Sequence, residues 1–217
     1  MKKSKRKTLL ISTCSLAGFV IWTVAIRLID VRAIGPRESA VGFATLNGFV
    51  HNLTGVNFAL YTVTDWLGLV PIAVCAGFGL LGLIQWIKRK KLSRVDYSIL
   101  VLGGFYAVVT AVYVLFEFVV INYRPVLING ISEASYPSST TVLVMCVMPT
   151  AIMQFKNRIK NKKARSFVTA SIVAFIAFTV IGRLVSGVHW VTDIIGGALL
   201  SVGLVVLYRF FSEKDFS

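Results

Sequence analysis

The chain has 217 residues, of which 56% are hydrophobic and only 15% are charged. That balance excludes an ordinary soluble domain of this size and is typical of a protein that crosses the membrane several times. The net charge of +14 would suit a nucleic-acid-binding protein, but the basic residues do not form one aromatic-bearing face. We therefore predict an integral membrane protein whose surroundings are the lipid bilayer, with no nucleic-acid partner.

Six apolar stretches are long enough to cross the membrane, since a spanning helix needs about 20 apolar residues. These stretches are residues 8–29, 66–87, 97–122, 139–155, 167–186 and 193–211. We predict an all-α fold, a bundle of six transmembrane helices that forms a single membrane-embedded domain over residues 1–217. The first stretch follows basic residues but is longer than the apolar region of a signal peptide, so we interpret it as an uncleaved anchor.

Most of the 23 basic residues lie on alternate connections between the predicted spans, in clusters at residues 2–7, 88–94 and 156–165. Because Lys and Arg are enriched in cytoplasmic loops, this pattern predicts that both termini are cytoplasmic. The external side then receives the remaining connections, residues 30–65, 123–138 and 187–192.

The first external connection is long and mixes charged with aromatic residues, and both His51 and Asp65 belong to it. It is too polar to span, and its aromatic content predicts a short amphipathic helix at the membrane interface. The three cysteines, Cys14, Cys75 and Cys146, fall inside apolar stretches without metal-ligand spacing. They are predicted to be packing residues, and no metal or cofactor is expected.

The connection between the last two spans carries a histidine and a carboxylate. His189 and Asp193 are four residues apart, so on a helix they share a face. A carboxylate that accepts the proton of one imidazole nitrogen fixes the tautomer and leaves the other nitrogen free as a nucleophile or base.

Phosphate-binding groups are predicted at the same side of the membrane. Arg124 and Arg183 close the third and fifth spans, and one guanidinium group can bind two phosphate oxygens at once. Ser138 and Ser139 open the fourth span, where hydroxyls, backbone N–H groups and the helix dipole favour an anion. Each residue also has a simpler interpretation: the arginines as anchors at the interface, the serines as a helix N-cap. Their convergence at one side favours a site for a lipid phosphate.

Three segments together resemble the signature motifs of the type 2 phosphatidic acid phosphatase (PAP2) superfamily: Arg124-Pro125, Pro137-Ser138-Ser139 and Arg183-x5-His189-x3-Asp193. The resemblance implies that His189 attacks phosphorus to give a phosphohistidine and that Asp193 orients it. It also implies that the phosphoryl oxygens are held by Arg124, Ser138, Ser139 and Arg183. No metal is required in that mechanism.

Three positions depart from the motifs of the family. Glu117 stands where a lysine is usual, Ser139 replaces a glycine, and Thr140 replaces the histidine that protonates the leaving group. Threonine is no general acid near neutral pH, and the loss of such a group costs about 10²–10⁴-fold in rate. The other histidine, His51, is an alternative proton donor because it lies on the same side.

These departures shape the predicted function, a membrane lipid phosphatase acting on the external face of the cell membrane. A diphosphate leaves as a phosphate and needs little protonation, so Thr140 favours a lipid diphosphate such as undecaprenyl diphosphate over phosphatidic acid. The alternative is a catalytically impaired relative that binds, senses or moves a phospholipid, which Glu117 and Thr140 favour and the His189–Asp193 pair opposes. An unrelated small transporter is a third hypothesis, but no broken-helix pair supports it.

Overall fold

Residues 3–212, which a computed structural model describes, form eight α-helices, two turns of 3₁₀-helix and one short hairpin. The helices are α1 Lys3–Leu28, α2 Ala44–Thr54, α3 Phe58–Leu67, α4 Leu69–Arg89, α5 Tyr97–Phe118, α6 Ser139–Arg158, α7 Lys162–Val185 and α8 Val191–Ser212. Six segments are long and apolar enough to cross a membrane, with α3 and α4 counting as one. The predicted all-α bundle of six transmembrane helices is therefore confirmed.

Helices α6 and α8 lie at the centre of the bundle and are much more buried than the other spans. Helix α6 is also the least apolar of the six, because it faces protein rather than lipid and can carry polar residues that find partners there. Thr150 Oγ1 lies 3.2 Å from the hydroxyl of Tyr106, and Gln154 Nε2 donates to the hydroxyl of Tyr208 at 2.6 Å. Satisfied groups of this kind are tolerated inside a membrane protein.

Helix α1 runs antiparallel to α8 and is tied to it by polar side chains. Near its start, Ser12 Oγ donates to the carbonyl of Gly203 at 2.8 Å, and near its end Trp22 Nε1 donates to the carbonyl of Thr192 at 3.1 Å. The starting end of α1 therefore lies beside the final turns of α8. The α4–α5 and α6–α7 connections, which carry basic clusters, lie at that same end, and the predicted site residues lie at the opposite end.

The segment before the second span contains a two-stranded hairpin, Arg32–Ala33 with Ala40–Val41, and the short helix α2. Buried Asn47 anchors α2 to the first turn of α8, because its Nδ2 donates to Thr192 Oγ1 at 3.0 Å. Asn57 caps α3 by accepting a hydrogen bond from the N–H of Leu60 at 2.9 Å. The helical chain therefore starts at Phe58, eight residues before the apolar stretch recognised in the sequence.

Candidate active site

A tight turn between α7 and α8 determines where the chain places His189. The N–H of Asn57 donates to the carbonyl of Ser186 at 2.9 Å, which joins this turn to the connection between α2 and α3. Gly187 has a φ of +66°, and a Cβ at this position would lie 1.7 Å from the carbonyl oxygen of Gly55. Only glycine fits such a conformation and such an approach.

His189 and Asp193 form a buried pair at the start of α8. Nδ1 of His189 lies 3.6 Å from Oδ2 of Asp193, and both side chains are almost fully buried. The Asp193 carboxylate is held by the N–H of Trp190 on Oδ2 at 3.0 Å and by Asn122 Nδ2 on Oδ1 at 3.4 Å. A carboxylate fixed in this way can orient the imidazole and stabilise positive charge on it.

Arg124 contacts the other nitrogen of the imidazole. Its Nη1 lies 3.1 Å from Nε2 of His189, and its Nε lies 3.0 Å from Oε2 of Glu133. The loop that carries Arg124 folds back on itself, since the N–H of Arg124 donates to the carbonyl of Glu133 at 3.0 Å. Burial, with the nearby charges of Arg124 and Arg183, holds the pKa of His189 well below its usual value. A neutral imidazole is the form that can attack phosphorus.

Arg183 is almost completely buried, with 1% of its surface exposed. Its Nη1 is 3.4 Å from Oδ1 of Asp65 and 3.5 Å from the carbonyl of Tyr61. The guanidinium groups of Arg183 and Arg124 both lie over the ring of Tyr61, at 4.8 and 5.7 Å from its centroid. The two arginines predicted to bind phosphate therefore meet at one aromatic ring, each paired with a different carboxylate.

The start of α6 contributes backbone and hydroxyl groups beside this cluster. Ser138 is the N-cap: its Oγ accepts hydrogen bonds from the N–H of Thr141 at 3.4 Å and from Thr141 Oγ1 at 3.0 Å. The N–H of Ser138 donates to the backbone carbonyl of Asp193 at 3.2 Å. Ser139 and Thr140 lie on the wall of the adjacent cavity. The N-cap interpretation thus describes the hydroxyl of Ser138, whereas its neighbours face open space.

A cavity of about 780 Å³ opens next to these residues. Its polar lining includes Asp65, Glu117, Arg124, Glu133, Ser139 and Thr140, and its apolar lining includes Ile72, Val109, Val112, Phe116 and Leu143. The volume and apolar wall suit one end of a lipid. His189 and Arg183 are not among the lining residues, but each contacts a residue that is: His189 contacts Arg124, and Arg183 contacts Asp65.

His51 lies apart from the cavity. Its ring packs on Trp190 with 5.5 Å between centroids, and it is hydrogen-bonded to the backbone of Gly187. Burial lowers the pKa of His51. The neutral form is therefore favoured, and less of the protonated form that could donate a proton is present. Neither His51 nor any other residue between 3 and 212 belongs to a group of three or more His, Cys, Asp or Glu that could hold a metal ion.

Four residues of the site were not singled out by the motifs: Tyr61, Asp65, Asn122 and Glu133. Asp65 was visible in the sequence only as one charge among several in a long external segment, and Tyr61 carried no signal. Asn122 and Glu133 flank Arg124 in the chain, but their contacts depend on how the loop folds. Their pairing with Asp193 and Arg124 is a property of the tertiary structure.

Comparisons with known proteins bear on the family and on the fold. Residues 118–216, which contain all three motif segments, match the family model of the PAP2 superfamily. The fold is similar to the crystal structure of a transmembrane PAP2 type phosphatidylglycerolphosphate phosphatase from Bacillus subtilis, with a TM-score of 0.63 and 20% sequence identity over 95% of this chain and 98% of that one. No curated protein sequence matches the chain. The resemblance predicted from the motifs is confirmed.

Proposed function

We propose that this chain, whose residues 118–216 match the family model of the PAP2 superfamily, is a membrane lipid phosphatase that works through a phosphohistidine on His189. The observation that carries the proposal is the environment of this one imidazole. Asp193 lies at Nδ1, 3.6 Å away, and Arg124 lies at Nε2, 3.1 Å away. The first arrangement suits a nucleophile held in one tautomer, and the second places a phosphate-binding guanidinium beside the attacking nitrogen.

The reaction has two steps. Nε2 of His189 attacks phosphorus as the bond to the leaving oxygen breaks, and Asp193 stabilises the positive charge that the imidazole acquires. Arg124 and Arg183, with the groups at the start of α6 around Ser139, neutralise the charge on the phosphoryl oxygens. Water then attacks the phosphohistidine, and inorganic phosphate leaves.

The substrate that we propose is a lipid diphosphate of the undecaprenyl diphosphate type. Thr140 stands on the cavity wall at the motif position of the family's proton donor, and it cannot protonate an alkoxide. A leaving phosphate needs far less protonation, so the penalty of about 10²–10⁴-fold for a missing acid falls mainly on phosphatidic acid and similar monoesters.

Release of inorganic phosphate tests both proposals. The purified protein would be assayed with undecaprenyl diphosphate, phosphatidylglycerol phosphate and phosphatidic acid, all presented in the same detergent. We expect the diphosphate to have the highest kcat/KM and His189→Ala to abolish release from all three. His51→Ala is the matched control, because it removes the other histidine of the chain. Faster hydrolysis of phosphatidic acid would reject the diphosphate preference, and release that survives His189→Ala would reject the mechanism.

We also propose that the site faces the outside of the cell membrane. The support is the charge pattern: the basic connections lie at the opposite end of the bundle from His189, and basic loops stay in the cytoplasm. A cysteine at Gly130, in a chain whose native cysteines are replaced, would be tested with a membrane-impermeant maleimide in intact cells. We expect labelling there and none at a cysteine placed at Lys160. The reverse pattern would place the site inside.

A second candidate function is favoured by the ion pairs. Arg124 and Arg183, the two arginines predicted to bind phosphate, are each paired with a carboxylate, Glu133 and Asp65. A protein that binds or moves a phospholipid reversibly would gain from such competition, because the carboxylates weaken the hold on phosphate. Binding of phosphatidic acid without any phosphate release, by a protein with an intact His189, would favour this function.

A further inference from the structure

Asp65 reaches the cavity from the site end of the second span and holds a phosphate-binding arginine. Its Oδ1 is 3.4 Å from Nη1 of Arg183, and its side chain is 57% exposed whereas that of Arg183 is 1% exposed. The carboxylate therefore lies between the buried guanidinium and the open cavity. A phosphate that binds Arg183 must come into contact with Asp65.

Asp65 shares a cavity wall with Thr140. Gly68, one turn further along the chain, is in contact range of Thr140, since a Cβ on Gly68 would lie 3.8 Å from Thr140 Cγ2. All three residues line the same cavity. The wall on which the family's histidine is missing thus carries a carboxyl group.

We propose that Asp65 donates the proton to the leaving group, a role that Thr140 cannot perform; this rests on the proposed phosphatase function. The other two carboxylates of the cavity are less suited to it. Glu133 is paired with Arg124, which contacts the attacking nitrogen of His189, and the leaving oxygen lies on the far side of phosphorus from that nitrogen. Glu117 is hydrogen-bonded to Tyr113.

The proton transfers balance over the two steps. When a phosphate takes over Arg183, Asp65 loses its cation and stands beside a second anion, which favours binding of one proton by the carboxyl group. The N–P bond to His189 then forms, the P–O bond to the leaving group breaks, and the leaving oxygen takes the proton of Asp65. In the second step the Asp65 carboxylate accepts a proton from the attacking water, the N–P bond breaks, and the acid is restored.

This role is compatible with a preference for diphosphates. Asp65 is 57% exposed and paired with Arg183, so it makes up part of the loss at Thr140 and not all of it. Removing Asp65 should therefore widen the gap between substrates with poor and good leaving groups. A residue that only neutralises Arg183 has no such dependence on the leaving group, because it affects phosphate binding equally for every substrate.

The test compares Asp65→Asn with the parent protein on dioctanoyl phosphatidic acid, whose leaving group is an alkoxide, and on 4-nitrophenyl phosphate, whose leaving group needs no proton. We expect kcat/KM to fall about 10²-fold or more on the first, within the range for a general acid, and less than about tenfold on the second. Activity on the aryl ester also shows that the variant is folded. Thr140→His added to Asp65→Asn should recover most of the loss on the alkyl ester.

Glu133→Gln is the matched control, because Glu133 is the other carboxylate of the cavity that pairs with an arginine. It should change both substrates by the same factor. Equal losses on both substrates in Asp65→Asn, or no loss on the alkyl ester, would overturn the role of Asp65 alone. Absence of phosphate release by the parent protein from both of these substrates and from undecaprenyl diphosphate would overturn the phosphatase function itself.

Discussion

Replacing Asp193 with asparagine tests how the imidazole of His189 is held. This buried carboxylate accepts hydrogen bonds from the N–H of Trp190 on Oδ2 at 3.0 Å and from Nδ2 of Asn122 on Oδ1 at 3.4 Å, and Nδ1 of His189 lies 3.6 Å from Oδ2. Asparagine has almost the same shape but brings two N–H donors of its own into this group. At least one donor must then face another donor, or the imidazole must move its proton from Nδ1 to Nε2.

Both outcomes reduce activity, and their sizes can be compared. An unsatisfied buried donor costs about 1–3 kcal/mol, which is therefore the driving force toward the tautomer protonated on Nε2. In that tautomer the nitrogen that faces Arg124 has no lone pair for attack. Loss of the carboxylate also removes the charge that stabilises the phosphorylated imidazole, by about 1.5–3 kcal/mol for a charged hydrogen bond. At about 1.4 kcal/mol per factor of ten, we expect turnover of Asp193→Asn to fall about 10²–10⁴-fold.

The assay is phosphate release from a lipid diphosphate by purified protein, with thermal unfolding measured on the same samples. Ser201→Ala is the matched control, since Ser201 is a buried polar residue of α8 whose hydroxyl donates to the backbone carbonyls of Gly197 and Val142. We expect this control to keep nearly full turnover. A loss of less than about tenfold in a folded Asp193→Asn protein would refute the orienting role.

Three further predictions concern the surroundings of the nucleophile. His51→Ala should leave turnover unchanged, because His51 packs on Trp190 outside the cavity; a loss comparable to that in His189→Ala would restore it as a proton donor. Gly187→Ala should unfold the protein at a lower temperature than Gly130→Ala. Both positions have a positive φ, which costs a residue with a Cβ about 1–2 kcal/mol. Only at position 187 would that Cβ also meet the backbone, 1.7 Å from an oxygen. Finally, acidification protonates His189 and stops its attack on phosphorus. Because the pKa of His189 is lowered, kcat/KM should not fall between pH 7.5 and pH 6.5. A half-maximal rate near the ordinary histidine pKa of about 6.5 would contradict the buried environment.

The sequence was sufficient for the number and order of the spans because lipid imposes a simple rule on each of them. A helix that faces hydrocarbon must be apolar over about 20 residues, and that signal identified all six spans, including the less apolar α6. It failed at the start of the second span, where α3 begins at Phe58. The polar residue Asp65 interrupts the apolar pattern there, and its partner Arg183, which lets it stay in a helix, lies far away in the chain.

The site was predictable in its members but not in its pairings. The spacing of His189 and Asp193 is local, and a helix fixes it. In contrast, Arg124 with Glu133 and Arg183 with Asp65 depend on a folded loop and on the packing of α3 against α7. Such pairs cannot be predicted from hydropathy or spacing. They matter for function because the carboxylates compete with a phosphate for the two arginines.

Trapping phosphate on His189 tests the central claim most directly. Purified protein would be mixed with ³²P-labelled lipid diphosphate, quenched with alkali within one turnover, and digested for peptide analysis. The account predicts acid-labile label on the peptide that contains His189, none in His189→Ala, and undiminished label in His51→Ala. Steady release of phosphate with no label on His189, or label on another residue, would contradict it.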